Sequence, residues 1–165
     1  MKAQILTATA AVCLLASSAA SQSIQDCDWV ASAANLVEPW SETSRTFANG
    51  DIRVAELDTG GEPACCSSHL LILSPNPEYG QACHVLSVQP GVGFSRVFTS
   101  GIESSYDPGK GILLQVSVGR FDPATGSSVS NSPMRVPVRI NQATGVVKIE
   151  MLTKSGNVLK KKASN

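Results

Sequence analysis

Three copies of one turn pentad constrain this chain more than any other feature. Asp107-Pro108-Gly109-Lys110-Gly111, Asp122-Pro123-Ala124-Thr125-Gly126 and Asn141-Gln142-Ala143-Thr144-Gly145 share one pattern. Each starts with Asp or Asn, follows with Pro or Gln, and closes on Gly. The first side chain bonds back to the turn backbone, Pro presets φ at the second position, and Gly takes the left-handed position after a type I turn. Loops of this length join neighbouring antiparallel strands. The C-terminal half is therefore expected to be a meander, with the second pentad opening a longer Ser/Asn-rich loop from Gly126 to Pro133. Turn chemistry accounts for these Asp residues, because their spacing is not that of a calcium loop.

The residues around the turns read as strands near Asp51–Asp58, Ser68–Leu73, Ala82–Val88, Phe94–Thr99, Gly111–Phe121, Met134–Asn141 and Val146–Leu152. In the stretch from Arg135 to Ile140, Val136, Val138 and Ile140 alternate with Arg135, Pro137 and Arg139. Period two with one apolar face marks a half-buried strand. Pro137 lacks a ladder donor, which predicts an edge strand or an interruption there. Gly91-Val92-Gly93-Phe94 reads as a bend or bulge. One short helix is expected near the start, with Asp28 as its N-cap, Trp29, Val30, Ala33, Leu36 and Val37 on one face, and Pro39 as its stop. Trp40 to Phe47 reads as an irregular connector.

The expected fold is all-β: an antiparallel sandwich or partly open barrel of about seven or eight strands with a short N-terminal helix. Its divisions are a cleavable signal at 1–20, helix and connector at 21–48, a β domain at 49–153, and a basic tail at 154–165.

The signal reading rests on Lys2, a short apolar run from Ile5 to Ala16, and small residues Ser18, Ala19 and Ala20 before Ser21. That run is too short to span a bilayer, which needs about 20 apolar residues. Cys13 would leave with it. Export to the periplasm or the extracellular space follows, and the Ala-rich style of the segment is bacterial. No further run predicts a membrane span. Nucleic acid is not an expected partner, since no basic stripe is interleaved with aromatics.

Four cysteines then remain: Cys27, Cys65, Cys66 and Cys83. An oxidising compartment makes disulfides the default for them. The stretch from Ser68 to Val88 reads as a hairpin that sets Cys83 opposite about Ile72. A straight strand would carry Cys66 ~20 Å away, beyond disulfide reach. Cys83 would then pair with Cys27, leaving Cys65-Cys66 as a vicinal disulfide or a free dithiol. If the loop from Gly60 to Cys66 folds back, two long-range bridges form instead. The second arrangement is the expectation, because adjacent cysteines usually bond to different partners. The competing reading uses Cys65, Cys66, His69, Cys83 and His84 to bind zinc or copper, or to exchange thiols in the periplasm. That reading predicts bound metal or free thiols, so four cysteines locked in two disulfides, without metal, would remove it.

Net charge is zero and only 16% of residues are charged, but the distribution is lopsided. Acids dominate up to Ser104, and bases dominate beyond it, ending in Lys160-Lys161-Lys162. The expectation is that both halves interleave in one sheet and neutralise each other. Catalytic motifs are missing: Gly93-Phe94-Ser95-Arg96 lacks the closing glycine of a nucleophile elbow, and Gly109-Lys110-Gly111 lacks the rest of a phosphate loop. No cofactor and no catalytic residue is expected. The leading expectation is a non-catalytic binding or accessory domain, taking a protein or small-molecule ligand on a sheet face or an edge strand such as Met134–Asn141.

Overall fold

The computed structural model describes residues 22–61, 65–78, 80–122 and 124–150. The expected signal at Met1 to Ala20, the basic tail, and Met151 and Leu152 of the last expected strand lie outside them. Nine strands form two antiparallel sheets, with no closed barrel among the described residues. The first sheet has the order β1 (Ser23–Asp26), β5 (Gly80–Ser87), β4 (Ser68–Asn76), β3 (Ile52–Asp58), β2 (Ser44–Phe47). The second has the order β6 (Arg96–Asp107), β7 (Gly111–Asp122), β8 (Ser127–Asn141), β9 (Val146–Ile149). Strands β2 to β5 and β6 to β9 are each a meander, and β1 alone pairs far from its sequence neighbours.

The expected alternation positions the core. Val136, Val138 and Ile140 point between the sheets and are buried, as are Leu114, Val116 and Val118 of β7. They meet Ile52, Val54, Leu70, Ile72 and Leu86 of the first sheet. Each such side chain removed from water contributes about 1.5–3 kcal/mol before chain entropy is counted. A second, smaller cluster covers the outside of the first sheet, where Val30 packs with Leu57 and Val85.

The pentad turns behave as their chemistry dictates. Asp107, Asp122 and Asn141 accept from backbone N–H groups two residues on, at 2.8, 2.9 and 3.0 Å. Gly111, Gly126 and Gly145 all take positive φ. The expected loop from Gly126 to Pro133 does not form, however. Strand β8 starts at once, with Asp122 opposite Ser127, and a register shift beside Gly119 absorbs the extra residues. Strand β6 is also longer than expected, running through to Asp107 with its own shift between Phe98 and Glu103.

Strand β8 is not an edge. It lies between β7 and β9, and Pro137 is tolerated because β9 stops beside it. The Pro137 carbonyl accepts from Glu150 N–H at 2.8 Å, so the missing donor falls at the last rung of the ladder.

The expected helix is two separate 3-10 turns, Trp29–Ala31 and Ala33–Asn35. Asp28 does cap the first, accepting from Val30 N–H at 3.0 Å. Ser32 then adopts extended geometry and caps the second, which breaks the run. Polar side chains that bond locally to backbone N–H compete with helix in this way. The supposed connector instead holds one α-helical turn, α1 (Trp40–Thr43), followed by β2.

Charge segregation also differs from expectation. The first sheet is built wholly from residues 23–87 and the second from 96–149, so the two halves do not interleave. Asp26, Asp28, Asp51, Glu56 and Asp58 belong to the first-sheet side, while Lys110, Arg120, Arg135, Arg139 and Lys148 belong to the second. Meanders that close locally leave each half of the chain in its own layer.

Candidate functional site

Cys27 and Cys83 form a disulfide with a Cα–Cα separation of 5.4 Å, fastening the end of β1 to β5. Cys27 N–H also donates to the Cys83 carbonyl at 3.1 Å. Cys65 and Cys66 are bonded to each other. The expected pair of long-range bridges therefore does not form. Pairing of β3 with β4 runs straight to Asp58 opposite Ser68, and Thr59 N–H donates to the Ser67 carbonyl beyond it. Cys83 sits opposite Leu73, one residue from the expected Ile72. Cys66, seven residues before Leu73, is thus carried ~23 Å along the sheet, at about 3.3 Å per residue.

The two histidines point to opposite faces of the first sheet. His69 pairs across from Leu57, an outer-face residue, whereas His84 pairs across from Ile72 of the core face. His84 Nε2 lies 3.6 Å from Asp26 Oδ1. Among the described residues no group of three or more His, Cys, Asp or Glu could hold a metal ion. The zinc or copper reading therefore lacks a donor set, and none of the four described cysteines is a free thiol.

His69 is completely buried, and its Nδ1 shares a hydrogen bond with Ser87 Oγ at 2.8 Å. Its Nε2 has no hydrogen-bond partner. Burial pushes its pKa below the ordinary 6.5, while the carboxylates of Asp28 and Asp58 pull the other way. His84 is shifted down as well, by burial against the opposing pull of Asp26. In both cases folding favours the neutral ring. The stability this brings is fully present above about pH 6.5 and is lost as pH falls through that value toward the folded pKa. We expect the thermal midpoint to fall on acidification from about pH 7.5 to about pH 5. His69→Gln should show a smaller acid-induced fall, measured against its own midpoint at the higher pH. An equal fall in both proteins would place the acid sensitivity elsewhere.

Three of the cavities differ in what their polar groups are doing. A groove of about 450 Å³ lies between α1, β2 and β6. There Arg45 donates to the Ser100 carbonyl, Glu56 accepts from Val97 N–H, and Thr99 donates to the Glu42 carbonyl. These bonds cover the free edge of β6, a hazard for edge-to-edge association. A second cavity of about 420 Å³ surrounds Arg139 and Glu150. That pair is bidentate, with bonds of 2.8 and 3.1 Å, and Arg139 also donates to the Gly111 carbonyl at 2.9 Å. The Arg139 hydrogen bond holds the Glu150 carboxyl below its ordinary pKa, with Lys110 and Lys148 adding to the effect. Both places hold the fold together.

The third cavity, of about 320 Å³, is chemically different. It forms at the end of the sandwich nearest Cys66, where β5 has stopped at Ser87. The chain reverses tightly there, with Val92 N–H donating to the Gln89 carbonyl at 2.9 Å. Phe94 then takes the place of β5 beside Ser68, exchanging hydrogen bonds of 3.1 and 2.6 Å with it. Gly93 is required for this approach: a side-chain carbon there would meet the Ser68 carbonyl oxygen at 2.5 Å and His69 Nε2 at 2.9 Å. On the facing sheet, a side-chain carbon at Gly119 would meet Ser95 Oγ at 2.6 Å. These two glycines let the walls close around a space lined by Val88, Val92, Phe94, Phe121 and Met134. Cys66 also contributes to the wall, while Gln22, Ser95 and Arg120 supply the polar groups. Apolar walls with a few convergent polar groups are the usual chemistry of a small-molecule site.

Residues that sequence reasoning singled out contribute little to this place. Cys66 lines it, and His69 lies behind Gly93. Met134 was marked only as the start of the strand Met134–Asn141, and Phe121 and Gly119 were not marked as site residues, because the three meet only where β7 and β8 shift register. The signal that pointed here was the run Gly91 to Phe94, which reads as a bend and turns out to build one wall. Compared with protein-family models, with curated proteins and with solved structures, the chain matches none, so its function is argued from its own residues.

Proposed function

We propose that this chain is a non-catalytic binding domain, periplasmic or secreted, which holds a small amphipathic ligand in the cavity beside Cys66. Two disulfides point to an oxidising, non-cytoplasmic environment. Among the described residues, no helix is long and apolar enough to cross a membrane. The observation that carries the reading is the cavity's make-up: Phe94, Phe121, Val88 and Val92 around its apolar interior, with the cationic Arg120 among its lining residues. Such a site suits an apolar body bearing an anionic end. The binding place is therefore the open end of the sandwich rather than the strand Met134–Asn141, which pairs with β7 on one side and, from Val138 to Asn141, with β9 on the other.

Titration with 1-anilinonaphthalene-8-sulfonate, a flat apolar anion, tests this. Met134 is partly buried beside the cavity and accepts from Gln22 Nε2 at 3.5 Å. Met134→Trp should fill the space and weaken binding by about tenfold, which corresponds to about 1.4 kcal/mol. Equal affinity in the wild type and in Met134→Trp, with an unchanged melting profile, would place the ligand elsewhere.

A further inference from the structure

We infer that Cys65–Cys66 is a site of reversible thiol–disulfide exchange whose redox state sets the shape of the cavity beside it. The inference rests on the cavity reading above and adds its control. The two disulfides stand in different relations to the fold. Cys27–Cys83 joins residues 56 positions apart and locks β1 onto the sheet. Cys65–Cys66 joins neighbours, and so it constrains only its own stretch of backbone.

That local constraint has a target. Cys66 is held at φ +82°, in the left-handed region that residues with a Cβ seldom adopt. In this conformation its carbonyl accepts the Gly93 N–H at 2.7 Å. Gly93 is the residue that lets Phe94 press against Ser68, and both Gly93 and Phe94 line the cavity. A short covalent and hydrogen-bonded path therefore runs from the disulfide through the Cys66 carbonyl to the apolar wall. Cys66 itself is half-buried and forms part of that wall.

The exchange partner is a dithiol reductant. One of its thiolates attacks a sulfur of the pair, forming a mixed disulfide, and the other cysteine leaves as a thiolate that takes up a proton. The second thiolate of the reductant then releases the remaining cysteine, and the reductant departs as a disulfide. Two electrons and two protons have passed to Cys65 and Cys66. Without the ring, Cys66 relaxes toward negative φ, its carbonyl turns from Gly93, and the wall loosens.

The test uses the whole chain, oxidised and then treated with graded dithiothreitol, with peptide mapping to show which disulfide has opened. With Cys65–Cys66 reduced and Cys27–Cys83 intact, hydrogen exchange at the Gly93 amide should accelerate by about tenfold. Affinity for 1-anilinonaphthalene-8-sulfonate should fall by about tenfold in the same sample. Cys65→Ser/Cys66→Ser should show the weaker affinity from the outset and no further response to reductant. Unchanged Gly93 exchange on reduction overturns the inference whether or not the probe binds. A double variant that still responds to the dithiol overturns it too, by assigning the effect to Cys27–Cys83. Failure of the oxidised protein to bind the probe, with Gly93 exchange still redox-dependent, would overturn the cavity reading and, with it, the control of binding.

Discussion

Gly111→Ala is expected to lower stability by about 3 kcal/mol, while the equivalent change at Gly126 costs only about 1 kcal/mol. Both glycines close the same kind of pentad and both hold positive φ, +86° and +64°. An L side chain at either position therefore carries the left-handed strain. Their surroundings differ. A side-chain carbon at Gly126 would point into open space, whereas at Gly111 it would collide with the Ile140 carbonyl oxygen and sit 2.8 Å from Asn141 Cα. Both obstacles are backbone of β8, which cannot swing aside without unzipping the β7–β8 ladder at Ile112 opposite Ile140. The Gly111 carbonyl also accepts from Arg139, so displacement would strain a second tie between the strands. Urea unfolding of the two variants side by side checks the difference. Equal losses would mean that the cost is conformational strain alone.

The second large effect concerns the long-range bridge. Cys27→Ser/Cys83→Ser should destabilise the domain by about 4 kcal/mol, as the chain-entropy account gives for a loop of this length. The bridge closes a separation of 56 residues, and it secures a strand with few other ties. Strand β1 is only four residues long and pairs with β5 alone. Releasing it also loosens the Val30 cluster that covers Leu57 and Val85, and with it the cover over one face of the first sheet. The expected readout is a lower guanidinium midpoint, together with faster amide exchange confined first to Ser23–Asp26. If exchange there matches the wild type, β1 is held by its ladder and the bridge is redundant.

How far the fold was legible follows from the range of each interaction. The pentads are local chemistry: Asp122 bonds to Ala124 N–H and Gly126 N–H donates to the Asp122 carbonyl, whatever surrounds them. The inward set of Val136, Val138 and Ile140 was equally readable, because a period of two commits a strand to one buried face. Strands β1 and β2 were not readable. Ser23-Ile24-Gln25-Asp26 and Ser44-Arg45-Thr46-Phe47 carry only one large apolar residue each, and they become strands by pairing with β5 and β3. The apolar spacing from Trp29 to Val37 suggested a helix, yet Trp29 is 64% exposed and Leu36 bridges to Leu57 as extended chain. There, burial on a neighbouring sheet outweighed the local preference.

The candidate site shows the same division. The adjacent cysteines, the glycines at 91 and 93, and an even set of four cysteines beyond the expected signal segment were all visible as residues. Spacing alone determined that Cys83 could not reach Cys66 if the strand ran straight. Whether it ran straight was decided by Ser68, which pairs with Asp58 on one side and Phe94 on the other and so holds β4 in line to its end. By itself the sequence determined the turns, the strand faces and the supply of thiols, because these depend on neighbours within a few residues. Only the tertiary structure decided that Cys65 bonds to Cys66 and that an apolar cavity opens beside them. Both depend on where the two sheets bring distant segments together, a contact that no local pattern encodes.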